Sequence, residues 1–106
     1  MANQAGAAQK ISLGGGRKYD VRTQFAALCY RVIKGDVEIC LITSRRSKRW
    51  IIPKGWPMDG QSPLQAAETE AWEEAGLTGK MHRESAGLFH YAKQLDDGDL
   101  PCIAIV

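Results

Sequence analysis

The sequence is short of the features that mark several protein classes. It has 3 cysteines, Cys29, Cys40 and Cys102, and no Cys-x-x-Cys pair. An odd, widely spaced set argues against a disulfide framework and, with no secretory signal, for a reducing cytoplasm. The opening MANQAGAAQK lacks the long apolar core of a signal peptide. No run approaches the ~20 apolar residues of a membrane span. The net charge is only +2, so bulk electrostatics point neither to nucleic acid nor to a membrane surface. Gly14-Gly15-Gly16-Arg17-Lys18 lacks the Gly-Lys-Ser/Thr ending of a phosphate loop. Asp96-Asp97-Gly98-Asp99 lacks the remaining ligand positions of a calcium loop.

What is present is one ordinary globular domain, with 44% hydrophobic and 25% charged residues. Residues 1–20 are small, polar and Gly-rich, which predicts a disordered tail ahead of a domain over 21–106. Arg22 to Ile33 reads as one strand, apolar on both faces and therefore central. Lys34-Gly35-Asp36 predicts a turn into a second strand, Val37 to Thr43. A short strand, Trp50-Ile51-Ile52, breaks at Pro53-Lys54-Gly55, and Trp50 is expected in the core. A later strand lies around Ala86 to Tyr91. His90 within it reads as a satisfied sheet histidine. Leu95 to Asp99 is a hairpin loop, and Leu100 to Val106 starts another strand.

The strongest local signal is a helix with both ends marked. Ser62 is a good N-cap, Pro63 suits the first helical position, and Gln65 completes a capping box. Gly76 is placed to end the helix in the left-handed conformation. At helical spacing, Leu64, Ala67, Ala71 and Ala75 share one side, and Glu70, Glu73 and Glu74 fall on another. Three like charges on one stripe repel, and the helix holds no Lys or Arg. A solvated acidic face is one reading; a platform for a hard divalent cation is the other. Ser44 to Arg49 likewise reads either as a solvated loop or as a phosphate-binding one, through Arg45, Arg46 and Arg49.

The stretch from Gly55 to Leu77 resembles the Nudix box, Gly-x5-Glu-x7-Arg-Glu-U-x-Glu-Glu-x-Gly-U, where U is a bulky aliphatic. Gly55, Glu70, Glu73, Glu74, Gly76 and Leu77 match in register. The lead-in from Trp50 to Gly55 resembles that of Nudix members acting on diphosphoinositol polyphosphates and diadenosine polyphosphates. The likeness runs from Arg22 onward. Gln61 stands at the first motif Glu, Thr69 at the motif Arg, and Ala71 in the aliphatic slot. Losing both partners of a charge pair leaves no unpaired charge, so Gln61 and Thr69 read as one paired change.

The resemblance implies an α/β fold, a mixed sheet with helices on its faces. It implies Mg²⁺ or Mn²⁺ bound by Glu70, Glu74 and the Gly55 carbonyl, and hydrolysis of a pyrophosphate linkage in a small phosphorylated substrate. Glu73 is the candidate base, with Glu70 beside it, and Lys54 a phosphate ligand. A module that binds such ligands without turnover is the alternative. Because such a domain continues with further strands and a helix, the ending Ile103-Ala104-Ile105-Val106 predicts an incomplete domain. Its last strand is expected to be exposed and to offer an edge for a homodimer.

Overall fold

The computed structural model describes residues 21–106. The expected tail and the Gly14–Lys18 stretch lie outside the described residues. The elements are β1 (Arg22–Ala26), β2 (Tyr30–Ile33), β3 (Asp36–Ile39), β4 (Ile42–Thr43), β5 (Trp50–Ile51), β6 (Lys54–Gly55), α1 (Pro63–Ala75), β7 (Leu88–Leu95) and β8 (Gly98–Ile105). Four strands form the main sheet in the order β6-β1-β8-β7, while β2-β3 and β4-β5 are separate two-stranded ribbons. The sheet is mixed. β1 runs parallel to β8, with Arg22 opposite Cys102, and antiparallel to β6, with Phe25 opposite Gly55. The expected α/β mixed sheet is therefore present, with one helix packed on it among the described residues. That helix is too short to cross a membrane, as is every helix described.

The long strand expected over Arg22 to Ile33 is two strands. The pairing of β1 with β6 ends at Ala27, whose N–H donates to the Pro53 carbonyl at 3.0 Å in the Phe25–Gly55 register, because proline has no N–H to return the bond. Beyond Cys29 the chain forms the β2-β3 hairpin, every residue of which is exposed. Its turn is a tight one: Lys34 and Gly35 both have positive φ, 51° and 82°, the geometry that matches strand twist. The Val37 to Thr43 strand is likewise split, into β3 and β4. Trp50 is not in the core. It sits on a two-residue ribbon and is 70% exposed. The final strand is not an exposed edge either. β8 pairs with β1 on one side and β7 on the other, so the free edges belong to β6 and β7. The edge that pairing of a second copy through this strand requires is already occupied.

The helix forms as its sequence dictates. Ser62 Oγ accepts from the Gln65 N–H at 3.1 Å, and Gln65 Oε1 accepts from the Ser62 N–H at 2.9 Å. Gly76 closes the other end at φ 68° and donates to the Trp72 carbonyl at 2.9 Å. Ala67 and Ala71 pack with Ala27 into a small core, flanked by Phe25, Cys29 and Met81. Alanines there bring the helix close to the sheet. Ser62→Ala removes the cap and is expected to cost about 1 kcal/mol in a urea melt. An unchanged midpoint would show that packing alone holds the first turn.

Candidate functional site

The helix carboxylates do not share one environment. Seen as a wheel, Glu70 belongs with Glu73 and Glu74, yet Ala66 and Glu70 are buried along with Ala67 and Ala71. Glu70 is 7% exposed. Its carboxyl lies against Gly55 on β6, where a Cβ added to residue 55 would stand 2.6 Å from Glu70 Oε1 and closer still to Cδ and Oε2. Only a glycine leaves that space. The Gly55 and Glu70 of the motif thus form one interlocked unit, across 15 residues of sequence (70 − 55).

Glu74 reaches the neighbouring residue of the same strand. Its Oε1 accepts the Lys54 backbone N–H at 3.0 Å, tying the helix to β6. Glu73 is exposed. Among the described residues no group of three or more His, Cys, Asp or Glu side chains converges at metal-binding spacing. The single acidic stripe of the sequence is therefore divided in the fold. One carboxyl is buried, one is pinned to the sheet and one faces solvent.

Burial, then Glu74 and Glu73, hold the Glu70 carboxyl above the usual carboxylate range. The folded chain therefore binds this proton more tightly than the unfolded one. In metal-free buffer the associated stability is fully present below the ordinary glutamate pKa, about 4.3, and is lost as pH rises through the raised value. Urea midpoints measured with a chelator present are expected to fall across that window. Midpoints that rise there would contradict the burial of Glu70.

Lys54 is half-buried, with Nζ 4.9 Å from the centroid of the Tyr91 ring. Burial lowers its pKa, as does Lys93, while Glu74 opposes the shift. The Tyr91 hydroxyl donates to Gln24 Oε1. Gln24 is 2% exposed. Burial also pushes the Tyr91 phenol up. At the start of β1, the Arg22 guanidinium lies 5.4 Å from the centre of the Trp56 ring. Tyr91 and Gln24 were not marked from the sequence as neighbours of Lys54. The alternation of Arg22 and Gln24 on β1, and of Tyr91 and Lys93 on β7, carries the signal, but it needs the strand order to be read.

The other expected phosphate ligands are placed elsewhere. Arg46 pairs with Asp96 at the tip of the β7-β8 hairpin. Arg45 and Arg49 are exposed on a loop closed by the Ser44 N–H donating to the Arg49 carbonyl at 2.9 Å. Among the described residues no ion pair joins this loop to the helix. The paired change in the motif, by contrast, is a contact. Thr69 Oγ1 donates to Gln61 Oε1 at 3.2 Å, so a neutral hydrogen bond joins loop to helix.

The NUDIX domain profile matches residues 22–101. The chain is 37% identical over 70 residues to diphosphoinositol polyphosphate phosphohydrolase 3-alpha of Mus musculus and of Homo sapiens, covering 63% of this chain and 43% of each relative. Diphosphoinositol polyphosphate phosphohydrolase 2 of Rattus norvegicus is 36% identical over 70 residues, covering 63% of this chain and 39% of the relative. The chain thus spans less than half the length of the curated relatives it matches. Among solved structures, a C. elegans Ap4A hydrolase aligns with a TM-score of 0.59 at 23% identity, over 80% of this chain and 65% of that one. A binary complex of a C. elegans Ap4A hydrolase aligns at 0.56 and 22%, over 78% and 62%. The fold is shared with these hydrolases, and with the profile spanning strands and helix alike, the chain belongs to the Nudix family.

Proposed function

We propose that the chain is the core of a pyrophosphohydrolase that requires Mg²⁺ or Mn²⁺. It cleaves an acid-anhydride linkage in a nucleoside diphosphate derivative, a dinucleoside polyphosphate or a diphosphoinositol polyphosphate. The observation that carries this reading is Glu70. A carboxylate buried against Gly55, with no hydrogen bond to it among the described residues, is costly unless a cation neutralises it. Oxygen donors of this kind fit a hard divalent ion. Glu70, the Gly55 carbonyl and Glu74 would hold it. Bound there, such an ion would supply neutralisation of phosphate charge and activation of a water.

The protein groups divide the remaining work. Lys54, held over Tyr91, would meet a phosphate oxygen beside Glu74. Glu73, exposed on the same helix, is free to hold a water and take its proton. Arg45 and Arg49 remain available to the distal phosphates, and Arg46 becomes so if its pairing with Asp96 opens. The names of the curated relatives support the diphosphoinositol class, and those of the solved neighbours support Ap4A. Residues 21–106 act as the hydrolase domain. The free thiols support a cytoplasmic setting.

The test is phosphate release from diadenosine polyphosphates and from diphosphoinositol polyphosphates, with Mg²⁺ and with chelator. Turnover that needs the metal and is lost in Glu74→Gln is expected. Activity indifferent to both would refute the assignment. The neutral Gln61–Thr69 bond, standing where the motif carries opposite charges, favours a second reading: a module that binds these ligands without cleaving them. Calorimetric binding with no product formed would select it.

A further inference from the structure

The β2-β3 hairpin carries two thiols that the proposed chemistry does not use. Tyr30 pairs with Ile39 in its ladder. One step closer to the main sheet, the Cys40 N–H donates to the Cys29 carbonyl at 2.9 Å. Cys29 and Cys40 therefore continue the ladder as a directly opposed pair. Counting from the turn pair Ile33–Asp36, alternate positions exchange hydrogen bonds, so Cys29–Cys40 is of the same type as Arg31–Glu38. Such pairs place their Cα atoms about 5.5 Å apart, within the ~4.4–6.8 Å a disulfide spans; their side chains stand wider apart than in the alternate pairs, so closing the bond draws the two strands together at this rung. Side chains two residues apart on a strand share a face. The Arg31–Glu38 ion pair, at 2.6 Å, holds the register on that face. Both thiols are free and half-buried. Both also line one open groove of about 1370 Å³, which α1 borders through Ala67 and Ala71.

We propose that Cys29 and Cys40 form a reversible cross-strand disulfide on exposure to peroxide, a modification site independent of the carboxylate cluster. The Cys40 thiolate attacks one peroxide oxygen, the O–O bond breaks, and a sulfenic acid and water result. The Cys29 thiolate then attacks the Cys40 sulfur and expels hydroxide, which leaves as water with the thiol's proton. In balance, two thiols and one peroxide give one disulfide and two waters. Burial, reinforced by Cys40, holds the Cys29 thiol above its ordinary range, which assigns it the second step. The bond clamps the base of a hairpin that is otherwise exposed on both faces. A disulfide of this kind in a reducing compartment is a transient, sensing one.

The experiment treats the full chain with hydrogen peroxide and reads intact mass, peptide linkage and melting temperature. The expected result is loss of two hydrogen atoms, a peptide linking Cys29 to Cys40, and a rise in melting temperature that dithiothreitol reverses. Cys29→Ser and Cys40→Ser should each abolish the linkage. Cys102→Ser should retain it, since Cys102 is 1% exposed and lies on β8. Addition of oxygen without linkage, a bridge to Cys102, or disulfide-linked dimers would each overturn the proposal.

Discussion

Gly55→Ala is expected to abolish the response of the protein to divalent cations. The added Cβ would stand 2.6 Å from Glu70 Oε1, and nearer still to Cδ and Oε2, closer than any real contact. The backbone is fixed on one side by pairing with Phe25, so the carboxylate must leave. Overpacking of this kind costs about 1–3 kcal/mol of stability. The larger effect is on function. With Glu70 displaced, the Mg²⁺-dependent rise in melting temperature should vanish and kcat/KM should fall about 100-fold, equivalent to ~2.7 kcal/mol. Gly60→Ala is the control, because residue 60 has φ 78° but open space where a Cβ would stand. It should cost about 1–2 kcal/mol of backbone strain and keep the metal response. Equal metal responses in the two variants would remove the Gly55–Glu70 interlock from the account.

Glu70→Gln is expected to move stability and activity in opposite directions. The substitution keeps the shape of the side chain and discards a charge that burial and two neighbouring carboxylates disfavour. Without metal at neutral pH the variant should therefore unfold at higher urea concentration than the parent. Mg²⁺ should then add nothing, whereas it stabilises the parent in proportion to RT ln(1 + [L]/Kd). Turnover should drop by about 100-fold or more. A variant less stable than the parent in chelator would mean that the Glu70 carboxylate has a favourable partner. That outcome would weaken the metal reading directly.

These two expectations show where the sequence was readable. The helix was legible to the residue because its determinants are local. Ser62, Pro63, Gln65 and Gly76 act through hydrogen bonds and torsions within one turn of each end. The motif register was legible for the same reason. The fate of Glu70 was not, because a helical wheel assigns faces without knowing what packs on them. Burial of Glu70 depends on the missing side chain of Gly55 in another element. Trp50 misled in the opposite sense. An aromatic at the head of an apolar run suggests core, but a ribbon of two residues has too little surface to cover it. The break after Ala27 is also tertiary, since the pairing ends where Pro53, in another element, has no N–H to return the Ala27 bond. Lys54 was marked by the lead-in to the motif. Tyr91 and Gln24 were not, because their bond joins residues 67 apart.

The parallel pairing of β1 with β8 bears on how the chain acquires its shape. Arg22 must wait for Cys102, so one flank of β1 stays open until that distant strand has been synthesised. At ~5–20 residues per second that interval is on the order of ten seconds, and pairing at such separation is slow to nucleate. The contacts of Glu70 and Glu74 with β6 span only a helix and a loop. The ribosome therefore releases the proposed chemical centre early, and the sheet that carries it closes later.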